Sequence, residues 1–165
     1  MRTAIGQDSH RFTEEPLSTP ARPLMLAGVR IPDAPALAGN SDADVVLHAV
    51  TNAVSGITGV NILGEAADRM CLQDGITDSA AYLAEALRRL DGYRPVHLSV
   101  SVEAARPRLS PYIEAMRRRL AELMELGEGD VGLTATSGEG LTDFGRGIGI
   151  QALCILTVER ISSGV

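Results

Sequence analysis

Two kinds of hydrophobic spacing are mixed along this chain, and their order limits the possible folds more than any other feature. Apolar and polar residues alternate over 2–10 and 96–103, and the same strand pattern is expected at 132–136 and 149–159. Three stretches between these strands have helical spacing instead. Because strands and helices do not alternate strictly, we predict an α+β fold with a mixed four-stranded sheet, helices on one face and a small hairpin.

The ends of the predicted elements follow from capping residues, glycines and prolines. Ser41 is expected to cap the first helix, with Asp44 at its third position and an end near Gly56 or Gly59. The remaining predictions are a loop at 13–23, the hairpin at 24–31, an irregular stretch at 60–77, and helices from Asp78-Ser79 to about Leu90 and from Tyr112 to about Leu126. The chain of 165 residues fits one domain over 1–165.

The composition excludes several classes of function. The net charge of −6 and the aromatic content of 3% argue against nucleic-acid binding, which needs a basic face and often stacking rings. The fifteen basic residues are all arginine, so a Schiff-base lysine or a phosphate-loop lysine is excluded. The first residues lack a signal-peptide pattern, and no apolar run reaches the roughly 18 residues of a membrane span. We therefore expect a cytoplasmic protein without membrane contact.

The two cysteines are too few and too far apart for a cysteine-based zinc site or a disulfide framework. Cys71 and Cys154 are both expected to be reduced and structural.

A carboxylate and two imidazoles suggest a metal site. Asp8 and His10 are two residues apart on a predicted strand, so their side chains face the same side. His48 on the first predicted helix could complete a set of two histidines and one carboxylate, as in catalytic zinc sites. Short Asp-x-His pairs also arise by chance, and a lone helical histidine is commonly a core or surface residue.

Two further segments have the composition of ligand-binding loops. Residues 134–140 combine hydroxyls, glycines and Glu139, and Arg146 follows, so they could bind a diphosphate and a divalent cation. A strand end followed by a flexible turn would have the same composition. The proline-stiffened segment 104–111 could contact a base through its backbone, or could be a plain connector.

Taken together, these segments and their order resemble the 2-C-methyl-D-erythritol 2,4-cyclodiphosphate synthases of the non-mevalonate isoprenoid pathway, over nearly the whole chain. The matching segments are 6–10, 26–32, 40–49, 77–79, 107–113, 135–139 and 145–150. The resemblance implies a lyase that cyclises 4-diphosphocytidyl-2-C-methyl-D-erythritol 2-phosphate and releases CMP. It also implies a homotrimer with active sites between subunits, zinc at Asp8, His10 and His48, and magnesium (or manganese) at Glu139.

The resemblance assigns further residues to the site. It implies catalytic roles for Asn40 and Ser137. It implies contacts to a CDP-linked substrate from Asp8, Ser9 and His10; Asn40 and Ser41; Asn61, Ile62 and Leu63; Ala66, Ala67 and Asp68; Ala104, Pro107, Arg108 and Leu109; and Thr136, Ser137, Glu139, Asp143 and Arg146.

Several positions depart from the family pattern. Asn40 stands where the family has histidine, Asn52 and Asn61 where it has aspartate, and Gln7 where it has phenylalanine. Ala66-Ala67-Asp68 replaces Phe-Pro-Asp, and a phenylalanine is missing near Asp143. Since the changes lie at substrate-facing positions, two alternatives remain: a paralogue acting on another CDP-linked alcohol, and a non-catalytic trimeric module that binds metal or ligand.

Overall fold

The computed structural model describes residues 1–13 and 22–161 of the chain. The predicted α+β class is confirmed. The strands are β1 (Arg2–Arg11), β2 (Leu24–Leu26), β3 (Val29–Ile31), β4 (Tyr93–Glu103), β5 (Val131–Thr136) and β6 (Gly149–Arg160), and the helices are α1 (Val45–Thr58), α2 (Glu65–Leu72), α3 (Ser79–Leu87) and α4 (Ile113–Met124). Short 3₁₀-helices lie at Ser110–Tyr112, Glu128–Asp130 and Gly138–Gly140.

The predicted mixed sheet has the strand order β1-β6-β4-β5. β6 pairs antiparallel with both β1 and β4, whereas β4 and β5 are parallel and are connected through α4. β1, β4 and β5 therefore end at the same end of the sheet, with β1 and β5 at opposite edges. The predicted hairpin of β2 and β3 forms a separate two-stranded sheet.

The helices cover one face of the four-stranded sheet, where the inward residues of β4 and β6 are buried beneath them. α1 lies unusually close to β1 because position 6 is glycine. A Cβ atom at Gly6 would lie only 1.9 Å from the carbonyl oxygen of Ala49. Ala49 is the neighbour of His48, so this close approach brings the α1 histidine toward the side chains of β1.

The start of α1 differs from the prediction. Asp44, not Ser41, is the N-cap: its carboxylate accepts the backbone N–H groups of Val46 and Leu47 at 3.1 Å. Ser41 instead accepts the N–H of Ala43 in the preceding turn. The Asp44 carboxylate also accepts two N–H groups from the hairpin turn, and this tertiary contact decides which of the two residues caps the helix.

The prediction of an irregular stretch at 60–77 is wrong, because it contains α2. This helix has only eight residues and buries only Ala67, so it is too short to give a clear helical pattern in the sequence. The other helices begin and end within three residues of their predicted bounds, and α1 ends at Thr58 with Gly59 as its left-handed cap. The predicted loop at 13–23 lies mostly outside the described residues.

The face of the sheet opposite the helices is uncovered in the described chain. Ile5 and Ile155 stand directly opposite each other on β1 and β6, with 68% and 47% of their surfaces exposed. Uncovered apolar pairs of this kind are common where subunits associate. Among the helices of the described residues, none combines the length and hydrophobicity needed to cross a lipid bilayer.

Candidate metal centre and substrate pockets

The three predicted metal ligands lie together. Asp8 and His10 face the helix side of β1, as the strand alternation predicts, and His48 reaches them from α1. The Oδ2 atom of Asp8 is 3.0 Å from His10 Nε2 and 2.9 Å from His48 Nδ1, and the two nitrogens are 3.1 Å apart. One carboxylate oxygen and two imidazole nitrogens therefore converge on a single point.

This donor set fits a divalent cation such as zinc. In a tetrahedral zinc site with bonds of about 2.0–2.1 Å, ligand atoms stand roughly 3.3 Å apart. The observed separations are shorter by only a few tenths of an ångström. His10 is also prepared for coordination, because its Nδ1 lies 2.8 Å from the carbonyl oxygen of Ala38 and must donate its proton there. The Nε2 lone pair of His10 is then free to bind a metal.

The charges of the cluster favour an ionised carboxylate. Burial raises the pKa of Asp8, but the hydrogen bonds and positive charge of His10 and His48 together lower the pKa below its ordinary range. Burial lowers the pKa of His10, and the hydrogen bond and negative charge of Asp8 overcome that effect and raise the pKa above its ordinary value of 6.5. The ionised carboxylate of Asp8 therefore attracts a proton or a metal cation to the two imidazoles.

A pocket of about 540 Å³ opens beside these ligands. It brings together five other residues predicted to contact substrate: Asn40, Ser41, Leu63, Ala67 and Asp68. Its wall also includes five residues outside the predicted site, namely Gly39, Asn52, Gly64, Cys71 and Tyr82. The Cys71 thiol donates a hydrogen bond to the carbonyl oxygen of Asn40 at 3.1 Å, which helps to fix the loop that carries Asn40.

Four of the predicted substrate contacts on β1 and in the segment 61–68 do not line that pocket. Ser9 alternates with Asp8 and His10 on β1 and is exposed on the uncovered face of the sheet. Ile62 is buried in the core, Asn61 is exposed, and Ala66 is half-buried without lining the pocket.

A second pocket of about 500 Å³ lies beside β4 and β5. It brings together six predicted residues, namely Ala104, Pro107, Arg108, Leu109, Thr136 and Ser137. β1 and β5 are three strand spacings apart, or about 14 Å at roughly 4.8 Å per spacing. The metal cluster and this second pocket are therefore at opposite edges of the sheet.

The glycine-rich loop carries the remaining predicted residues. Glu139 is exposed and has a left-handed backbone, with φ of 49°. Arg146 is also exposed, and its guanidinium forms an ion pair with Asp143 at 3.1 Å. None of these three residues lines either pocket of the described chain.

A family model, described as the YgbB family, matches residues 1–159. The chain belongs to the YgbB family. A curated relative from Chlamydia caviae is named 2-C-methyl-D-erythritol 2,4-cyclodiphosphate synthase, and it is 47% identical over 160 residues, which cover 96% of this chain and 89% of the relative. The resemblance inferred from the motifs is thus confirmed.

Solved structures of this family share the fold. A CDP-bound form of 2C-methyl-D-erythritol-2,4-cyclodiphosphate synthase has a TM-score of 0.73 at 29% identity, covering 96% of this chain and all of that one. The bifunctional IspDF of Campylobacter jejuni has a TM-score of 0.84 at 29% identity and covers 96% of this chain. This chain spans 42% of the length of that bifunctional protein.

Proposed function

We propose that this chain is a metal-dependent 2-C-methyl-D-erythritol 2,4-cyclodiphosphate synthase of isoprenoid precursor biosynthesis. The observation that carries the proposal is the convergence of Asp8, His10 and His48 beside a pocket, in a member of the YgbB family. The substrate is 4-diphosphocytidyl-2-C-methyl-D-erythritol 2-phosphate. An oxygen of its 2-phosphate attacks the nearer phosphorus of the diphosphate, the bond from that phosphorus to the CMP oxygen breaks, and CMP leaves with the electron pair.

The reaction brings two anionic phosphate groups into contact, so the site must offset their repulsion. A zinc ion held by Asp8, His10 and His48 would supply positive charge beside the phosphates. Asn40 and Ser41 line the same pocket, and their side chains can donate hydrogen bonds to phosphate oxygens. Asn40 is neutral, so it gives a transferring phosphoryl group less electrostatic stabilisation than a protonated histidine would.

The second pocket is proposed to hold the cytidine of the substrate. Pro107 and Leu109 offer an apolar wall, while Thr136 and Ser137 place hydroxyls at one end, next to the glycine-rich loop. Glu139 is proposed to bind magnesium, and Arg146 to contact phosphate oxygens when its ion pair with Asp143 opens. The CDP-bound relative supports a nucleotide ligand for this fold.

A homotrimer is proposed to combine the two pockets, with the metal centre of one chain facing the cytidine pocket of its neighbour. Two features support this: the pockets lie at opposite edges of the sheet, and the apolar pair Ile5 and Ile155 is uncovered. Residues 1–165 are proposed to act as one domain of this assembly. The cytoplasmic location stays a prediction.

Phosphorus NMR of the purified protein with zinc, magnesium and the proposed substrate tests this function. CMP and a cyclic diphosphate should appear at a catalytic rate, and His48→Ala should abolish both while the protein stays folded. Retained activity in that variant would contradict the metal assignment. A zinc-loaded wild-type protein that leaves this substrate intact but releases CMP from another CDP-linked alcohol would identify the paralogue instead. Zinc binding without CMP release from any such alcohol would identify a non-catalytic module.

The departure at Asn40 has its own test. Asn40→His should raise the rate, because a charged donor replaces a neutral one beside the phosphates. An unchanged or lower rate would indicate that Asn40 suits a different substrate.

A further inference from the structure

The ring of His48 is held on the side that faces away from the metal centre. Its Nε2 lies 2.9 Å from the hydroxyl oxygen of Ser79, the first residue of α3, which is fully buried. The hydroxyl of Ser79 in turn donates to the carboxylate of Asp42. We propose that Ser79 and Asp42 are positioning residues that fix the tautomer and direction of the His48 ring for metal binding. This inference rests on the proposed metal centre.

The direction of the hydrogen bonds follows from counting protons. An ionised carboxylate can only accept, so the Ser79 hydroxyl must point its proton at Asp42. The Ser79 oxygen therefore faces His48 Nε2 with a lone pair and can only accept a hydrogen bond from it, so Nε2 must carry the proton. A neutral imidazole carries a single N–H group, so the proton on Nε2 leaves Nδ1 with a free lone pair. Nδ1 is the atom that lies 2.9 Å from Asp8 Oδ2 in the metal cluster.

Asp42 is itself held in place by three backbone groups. Its Oδ1 accepts the N–H of Asp44 at 3.1 Å, its Oδ2 accepts the N–H of Ser79 at 3.2 Å, and its own N–H donates to the carbonyl oxygen of Thr77 at 2.8 Å. These bonds join the capping segment of α1 to the start of α3. The carboxylate therefore remains beside Ser79 without depending on a flexible side chain.

The two histidines of the cluster are held by different kinds of partner. His10 donates to a backbone carbonyl, that of Ala38, which no substitution removes. His48 depends on a side chain, so its positioning can be removed by a single change. Partners behind a ligating histidine typically change metal affinity by about 10- to 100-fold.

The test compares zinc affinity in metal-stripped wild-type protein, Ser79→Ala and Asp78→Ala, by competition with a chromophoric chelator. Asp78→Ala is the matched control, because it removes the N-cap of the same helix, where Asp78 accepts the N–H of Ala80, without touching His48. Ser79→Ala should bind zinc about 10- to 100-fold more weakly than wild type, and Asp78→Ala within about twofold. Equal affinity of Ser79→Ala and wild type, or an equal loss in both variants, would overturn the proposal.

A spectroscopic measurement separates positioning from a general structural effect. In zinc-loaded protein with ¹⁵N-labelled histidine, the Nε2 proton of His48 should exchange slowly with solvent, and that protection should be lost in Ser79→Ala. The Nδ1 proton of His10 is the internal control and should stay protected in both proteins. Loss of both signals, or of neither, would overturn the proposal. Failure of wild-type protein to bind zinc would instead refute the metal centre of the proposed function.

Asp42→Ala tests the second positioning residue. It leaves the Ser79 hydroxyl in place but removes the carboxylate that accepts its proton. That proton can then turn toward His48 Nε2, and the ring proton moves to Nδ1, where the metal must bind. Zinc affinity should therefore fall although Ser79 is still present, and unchanged affinity would overturn the role of Asp42.

Discussion

Gly6→Ala should damage both the stability of the protein and its metal centre. The new Cβ would lie 1.9 Å from the carbonyl oxygen of Ala49 and 2.5 Å from the nitrogen of Ala53, where ordinary contacts are 3.4–4 Å. β1 and α1 must therefore move apart by about 1.5 Å, since both contacts are with backbone. Overpacking typically costs about 1–3 kcal/mol, and a clash with rigid backbone belongs at the upper end, about 3 kcal/mol.

The same movement changes the metal cluster. Asp8 and His10 are on β1 and His48 is on α1, so the Asp8 Oδ2 to His48 Nδ1 distance of 2.9 Å would lengthen. A separation toward about 4 Å exceeds the roughly 3.3 Å between ligand atoms of a tetrahedral zinc site, and zinc affinity should fall.

Gly56→Ala is the matched control on the same interface. Its Cβ would lie 3.1 Å from the Cβ of Ala4 and 3.8 Å, an ordinary contact distance, from the carbonyl oxygen of Ile5. The exchange of glycine for alanine inside α1 favours the helix by about 1 kcal/mol. Its unfolding free energy and zinc affinity should stay near those of wild type. The assays are urea unfolding at one protein concentration and zinc competition. Equal results for the two variants would refute the argument that Gly6 sets the helix position.

Three other predictions concern capping, pH and cysteine reactivity. Asp44→Ala should lower the unfolding free energy by about 3 kcal/mol in urea unfolding, because four backbone N–H groups lose their buried acceptor. A loss below about 1 kcal/mol would contradict this prediction. The raised pKa of His10 means that protons compete with zinc already above pH 6.5, so zinc affinity should fall by about tenfold for each pH unit below that raised pKa; zinc affinity that is independent of pH would contradict this. In the metal-free protein, the stability gained by protonating His10 should be fully present below pH 6.5 and lost as pH rises through the raised pKa, as urea unfolding at several pH values would report. Burial raises the pKa of Cys154 to about 12, so iodoacetamide should label the partly exposed Cys71 and leave Cys154 unmodified in the native protein. Peptide mass mapping would measure this, and equal labelling of the two cysteines would contradict it.

The local part of the metal centre could be predicted from the sequence, because it depends only on strand geometry. Residues two apart on a strand face the same side, so the sequence alone predicts that the side chains of Asp8 and His10 lie together. The position of His48 relative to Asp8 and His10 could not be predicted in this way, because it depends on how closely α1 packs against β1. That distance is set by Gly6, and a single glycine in a strand has several explanations in a sequence.

Other features escaped prediction because tertiary contacts decide them. Ser41 and Asp44 are both good capping residues, and only the hydrogen bonds from the hairpin turn select Asp44. α2 has only eight residues and buries one of them, so its pattern is too short to predict a helix, and nothing in the sequence places Cys71 near its end in the pocket. Ser79 was recognised only as part of a helix start. Its hydroxyl behind His48 becomes visible once α1 and α3 are packed together.

Titration of zinc into the metal-stripped protein, with CMP release and bound zinc measured together in the presence of magnesium, tests the central claim most directly. Asp8, His10 and His48 form one site in each chain, so the rate should rise from near zero and reach its limit at one zinc per chain. His48→Ala should show neither the tightly bound zinc nor the recovered rate. Release of CMP at the full rate by the metal-stripped protein, or a rate that does not change when zinc is added, would contradict the claim.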